Sequence, residues 1–217
     1  MNVIDLGHPI TDGMMVFPGD MSPSVRPGAT MEADGWRATL ISISTHTGTH
    51  MDAPAHMLSD GKYLDKFPSE KFFGCAIVAD IRKCVGRRIE TEDIKVSPED
   101  LECVDFLLLR SDWCAKWNTK SYETGFPTLS PDAAKWLTEQ GLKGVGVDML
   151  SVDPVDSAMC EIHKILLGSE LVIIENLCQL YKVGKQTFCI AALPISLEKQ
   201  DGGPARVMAI LDGCGGR

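Results

Sequence analysis

Short apolar runs separated by glycine, proline and polar residues recur along the chain. Six of them, Cys75 to Ile81, Phe106 to Arg110, Gly144 to Asp148, Leu171 to Glu175, Phe188 to Ala192 and Val207 to Leu211, are rich in β-branched residues. Runs of this length and continuity predict strands covered on both faces, because a strand with one wet face alternates with polar residues. Thr39 to Thr45 does alternate, which predicts a strand with one buried face. A helix is expected from Ser130, an N-cap residue followed by Pro131 and Asp132 in the first turn, as far as Gly141. A second is expected from about Ser157 to Leu167, with Met159, Ile162 and Leu166 at helical spacing and Gly168 as its stop.

Strands alternating with helices predict an α/β fold, a mixed sheet with helices packed on it. No repeat, low-complexity tract or linker-like stretch interrupts the chain, and 217 residues suit one domain spanning 1–217.

Composition narrows the function classes. Apolar residues make up 44% and charged residues 24%, near the averages for globular proteins, which excludes fibrous and disordered chains. A net charge of −9 and a pI near 5.0, without a Lys/Arg cluster, argue against a nucleic-acid partner. No apolar run approaches the roughly 20 residues that span a bilayer, and the opening residues lack the pattern of a signal peptide. No membrane partner is expected, and a cytoplasmic location is. The eight cysteines include no CxxC pair and mostly sit in apolar runs, so they are expected to be reduced structural thiols.

Histidine is the one donor type that is concentrated. Three of the five, His46, His50 and His56, cluster around Asp52. On a helix His46 and His50 would share a face, but Gly48, the flanking threonines and Pro54 favour a tight turn leaving a strand. Two imidazoles and a carboxylate are a common catalytic set for zinc or a similar divalent ion. The alternative is a strand-end cluster bonded to backbone. His56, beyond Pro54, is suited to exchanging a proton with a metal-activated water, and equally to serving as a ligand or pocket wall.

Farther along, His163 lies in the second helix and Glu175 ends an apolar run. Burying an unpaired carboxylate costs several kcal/mol, so Glu175 needs a partner. His163 and Glu175 could complete a second metal position bridged by Asp52. His8 reads as structural.

The segment H-T-G-T-H-M-D-A-P-A-H, residues 46–56, resembles the H-x-G-T/A-H-x-D-x-P-x-H signature of the cyclase-like metal-dependent hydrolases, which include bacterial kynurenine formamidases and isatin hydrolases. Asp5-Leu6, Phe17-Pro18-Gly19-Asp20, Leu108 to Ser111, Gly146 to Asp148, Ser151 to Pro154 and Ala192 to Pro194 extend the resemblance over nearly the whole chain. The resemblance implies a swivelling β/β/α-type fold and a homodimer or homotetramer. It implies that His46, His50 and Asp52 bind one metal, that Asp52, His163 and Glu175 bind a second, and that His56 is the catalytic acid/base. The ions would be Zn²⁺, one or two, or Mn²⁺. The implied reaction is hydrolysis of a small-molecule amide, formamide, cyclic amide or lactone, with N-formyl-L-kynurenine the leading substrate. A polyketide-type cyclase and a metal-binding protein without catalysis are the alternatives. One departure is Phe17, where the formamidases carry Trp. Phe17 and Trp36 are candidate substrate-binding residues, or else core aromatics.

Overall fold

The computed structural model describes residues 2–211. In chain order the elements are β1 (Val3–Asp5), β2 (Ser24–Ala29), α1 (Met31–Asp34), β3 (Ala38–Ser42), β4 (His50–Asp52), β5 (Phe73–Asp80), β6 (Arg88–Ile89), α2 (Pro98–Glu102), β7 (Phe106–Arg110), β8 (Thr128–Leu129), α3 (Pro131–Thr138), β9 (Gly144–Val147), α4 (Glu161–Gly168), β10 (Val172–Glu175), β11 (Phe188–Pro194) and β12 (Gly202–Ile210), joined by short 3-10 turns. All six apolar runs are strands, as their patterning predicts.

These strands form a mixed sheet in the order β1-β12-β11-β5-β7-β9-β10-β4, and β4 also pairs with β12, so the sheet curls until its ends meet. Closure divides the side chains by parity. Phe106, Leu108, Val172, Ile174, Phe188 and Ile190 fill the inside with Met51 of β4. Leu107, Leu109, Val145, Val147 and Ile173 point outward, where α3 and α4 cover them with Ala133, Leu137, Ile162 and Leu166. The central strands β7, β9 and β10 are therefore dry on both faces, which explains their continuous apolar runs. At Gly146 the inside has no room for a side chain: an added Cβ would lie 2.5 Å from Leu108 Cδ2 and 2.7 Å from Leu177 Cδ1.

Four expectations are corrected. Thr39 to Thr45 does not form a half-buried strand: β3 covers Ala38–Ser42 and pairs with β2 in a separate two-stranded hairpin, with Leu40 and Ile41 exposed. The second helix starts at Glu161 instead of Ser157, because Cys160 has φ 44° and cannot continue a helix backward. Cys189 is disulfide-bonded, so the cysteines are not uniformly reduced thiols, although Cys84, Cys103, Cys114, Cys160 and Cys178 are free. Cys214 lies outside the described residues. Lastly, the His50 to Asp52 part of the motif is a buried strand, not a turn.

No helix among the described residues is long and apolar enough to cross a membrane.

Candidate metal centre

Parity on β4 decides where the motif points. Met51 enters the inner core, so His50 and Asp52 face outward on the side that α4 covers. On β10, antiparallel to β4, Glu175 stands opposite His50 and Ile173 opposite Asp52. His163 reaches the same spot from the first turn of α4. His46 comes back over the strand because Gly48 turns the chain at φ 68°, in the left-handed region that glycine adopts without strain. Pro54–His56 then forms a short 3-10 turn that brings His56 beside His46, with ring centroids 4.0 Å apart.

At each of the three deepest histidines one ring nitrogen is held from behind. His50 Nδ1 donates to Gly48 O at 2.8 Å, His163 Nδ1 lies 2.7 Å from Asp153 Oδ2, and His46 Nε2 lies 3.1 Å from Asp201 Oδ2. The opposite nitrogens converge on the carboxylates. His46 Nδ1 is 2.8 Å and His50 Nε2 3.3 Å from Asp52 Oδ1; His163 Nε2 is 3.3 Å from Glu175 Oε1 and 3.7 Å from Asp52 Oδ2. Metal-binding imidazoles are commonly fixed in this way, by an acceptor on the second nitrogen. Asp153 also accepts from the N–H groups of Ile162 and His163, which caps α4 and locks the ring that it orients.

Asp52 Oδ2 is buried and has no hydrogen-bond partner among the described residues. An orphaned anionic oxygen in a dry site is costly, and a bound cation would satisfy it. The electrostatics agree. Burial alone would lower the pKa of His46, yet Asp52 and Asp201 overcome it and raise the value to about 9. His50 is raised against burial by Asp52 and Glu175, and His163 well above its ordinary value by Asp153 and Glu175. Asp52, despite its burial, is held well below the usual carboxylate range by His50 and His46. This point stabilises positive charge, and nitrogen and carboxylate donors without thiolate suit a divalent metal.

Two triads present ligand atoms mutually within 4.8 Å: His46, Asp52 and His56, and His50, Asp52 and Glu175. Asp52 is common to both, and the partition differs from the one the resemblance implies. His56 differs from the other histidines. Burial lowers its pKa and the nearby carboxylates do not reverse this, which favours the neutral imidazole.

In front of the histidines lies a cavity of about 250 Å³, with Phe17, Met57, Trp117 and Val155 forming its apolar side. Phe17 is placed as expected. Trp36 is not: it follows the left-handed Gly35 at the end of α1 and is 59% exposed, outside the cavity wall. Trp117, Asp153 and Asp201 were not anticipated. Asp153 lies within a segment carrying the resemblance, but nothing in the patterning around Trp117 or Asp201 marks them. A larger groove of about 550 Å³ beside Arg88, Phe126 and Asp156 contains none of the histidines.

The "Putative cyclase" family model matches residues 4–154. Among curated proteins, the kynurenine formamidase of Bacillus cereus is 32% identical over 208 residues, covering 94% of this chain and 95% of that protein. Among solved structures, a predicted metal-dependent hydrolase from Bacillus stearothermophilus is 27% identical with a TM-score of 0.78, covering 96% of this chain and 97% of the other. Isatin hydrolase A from Labrenzia aggregata is 24% identical with a TM-score of 0.82, covering 96% and 93%, which speaks for the fold.

Proposed function

The chain belongs to the cyclase family, and from that premise we propose that it hydrolyses N-formyl-L-kynurenine to L-kynurenine and formate. It is a metal-dependent hydrolase acting on amide carbon–nitrogen bonds. The observation that carries the substrate reading is the placement of His56 on the wall of a small cavity with an aromatic and aliphatic side, next to the converging ligands.

We assign His46, His50 and Asp52 to one ion and Asp52, His163 and Glu175 to a second, Zn²⁺ in preference to Mn²⁺. A divalent cation bound here supplies a Lewis acid that acidifies water and polarises a carbonyl. His56 takes the proton from the attacking water and passes it to the amide nitrogen as the C–N bond breaks, which gives the free amine and formic acid; the acid then loses its proton to solvent and leaves as formate. Phe17 and Trp117 flank the aryl ring. Asp52 fixes the ligands relative to one another, being within reach of His46, His50 and His163.

The grouping of His56 with His46 and Asp52 supports a second role, in which His56 is a ligand. His56→Ala separates the two: an acid/base loses kcat by about 10²–10⁴-fold with metal content intact, whereas a ligand loses metal too. A second substrate reading, a neutral cyclic amide or lactone such as isatin, is supported by the lack of Lys or Arg among the described residues that line the cavity, which gives an amino-acid carboxylate no basic partner among them.

The test is metal analysis of the purified protein together with a hydrolysis screen of N-formylkynurenine, isatin and simple lactones. A product 18 mass units heavier than substrate marks hydrolysis, and one 18 lighter a dehydrating cyclase. No turnover of N-formylkynurenine alongside rapid turnover of isatin would replace the first reading by the second. We also propose a cytoplasmic enzyme that forms a homodimer or homotetramer. The exposed apolar residues Leu40 and Ile41 on the β2–β3 hairpin support self-association, which sedimentation would test.

A further inference from the structure

Asp201 immediately precedes β12, whose first residues pair with the strand that carries the ligands: Gly202 with Asp52, Gly203 with Met51 and Pro204 with His50. Its carbonyl accepts from Ala53 N–H at 2.8 Å, so the Asp201 backbone is fixed to the motif itself. Its side chain lies over the two histidines nearest the cavity mouth. Oδ1 accepts from the Thr45 hydroxyl at 3.1 Å. Oδ2 lies 3.1 Å from His46 Nε2 and 3.8 Å from His56 Nδ1.

A neutral imidazole carries its proton on either nitrogen, and the hydrogen bond made by one decides what the other can do. His46 has a carboxylate at each ring nitrogen; were a cation to take the place of the proton on Nδ1, the atom 2.8 Å from Asp52, the Asp201 carboxylate would hold the remaining N–H at Nε2. The same oxygen is 3.8 Å from His56 Nδ1, beyond hydrogen-bond reach, and acts on that ring through its charge, favouring a proton on Nδ1 and leaving Nε2 to exchange one with substrate. One carboxylate thus bears on both the ligand set and the proton-transfer group.

We propose that Asp201 is a positioning residue shared by the two halves of the site, holding the Nε2–H of His46 and biasing the proton of His56 towards Nδ1. This rests on the reading of His46 as a ligand and His56 as the acid/base.

The experiment compares Asp201→Asn, Asp201→Ala and Asp201→Glu with the unmodified protein in zinc affinity by chelator competition, kcat and KM at saturating zinc, and imidazole ¹⁵N shifts. For Asp201→Asn, zinc affinity falls about 10-fold, kcat falls about 10–100-fold with KM within about 2-fold, and the His46 Nε2 resonance of the zinc-loaded protein shifts as its N–H loses a charged acceptor. Asp201→Glu, which keeps the carboxylate, recovers part of kcat. Wild-type kcat and zinc affinity in Asp201→Asn would overturn the proposal, as would an unchanged His46 Nε2 resonance. If Asp201→Ala fails to fold, the nearly isosteric Asp201→Asn decides alone. Asp52→Ala is the reference: if it keeps metal and activity, the underlying reading fails; if it loses both while Asp201→Asn changes nothing, only the Asp201 proposal fails.

Discussion

Adding one methyl group at Gly202 tests the site without altering any charge. In Gly202→Ala the new Cβ would lie 2.4 Å from His46 Cε1, 2.9 Å from Nε2 and 3.0 Å from Nδ1. Carbon atoms pack at about 3.5 Å or more, so the ring must retreat by about 1 Å. The obstacle is the end of a side chain, so the ring moves and the backbone of β12 stays in place. Stability should therefore change by no more than about 1–2 kcal/mol. Metal sites tolerate only about 0.2 Å in ligand distance, and a 1 Å misplacement costs on the order of 10²-fold in rate. That corresponds to about 2.7 kcal/mol of lost transition-state stabilisation. The assay is kcat/KM on the best substrate from the screen, with bound metal measured on the same samples. Gly168→Ala is the control, because its Cβ meets nothing within 4 Å. Full kcat/KM and full metal content in Gly202→Ala would refute the placement of His46 in the metal centre.

Other expectations follow from the same geometry. His8 stacks on Trp117 with centroids 4.0 Å apart, and burial lowers its pKa from 6.5 to about 4. The fold thus favours the neutral ring, and this contribution is complete above pH 6.5 and lost as pH falls towards 4. His8→Phe should keep the stack and remove on the order of 1–2 kcal/mol of acid destabilisation in denaturant titrations across that window, discounted because the ring is partly exposed. An unchanged pH dependence would count against it. Asp153→Ala leaves the Ile162 and His163 amides and His163 Nδ1 without their acceptor, so urea unfolding should show a loss of about 3 kcal/mol or more, with weaker zinc binding; a loss below about 1 kcal/mol would contradict the capping role. Leu108→Ala empties the fully buried inside of the sheet and should cost about 2–5 kcal/mol in the same assay, with kcat nearly unchanged in the folded protein.

Local chemistry made much of this site legible. Strands such as Phe106–Arg110 show in the sequence because closure of the sheet dries both faces, and α3 shows because Ser130 accepts from Ala133 N–H while Pro131 occupies the first turn. The histidine cluster shows because His46, His50, Asp52 and His56 are close in sequence as well as in space. Glu175 stood out as a carboxylate in an apolar run, and it lies opposite His50. What stayed hidden depends on contacts between distant segments. Asp201 acquires its place only when β12 pairs with β4, and nothing near it in sequence signals a histidine partner. The β2–β3 hairpin misleads for the related reason that alternation shows a strand with two different faces, not what covers either face. Trp36 fails as a pocket residue because it stands on that hairpin, whereas Trp117 reaches the cavity through a 3-10 segment with no periodic pattern.

The most direct test of the central claim is to strip the protein with a chelator, verify by elemental analysis that it is metal-free, and follow hydrolysis of N-formylkynurenine while Zn²⁺ or Mn²⁺ is titrated back. The account predicts no turnover in the metal-free protein, recovery that saturates at one or two ions per chain, and neither binding nor recovery in Asp52→Ala. Turnover by the metal-free protein, or full recovery in Asp52→Ala, would contradict it.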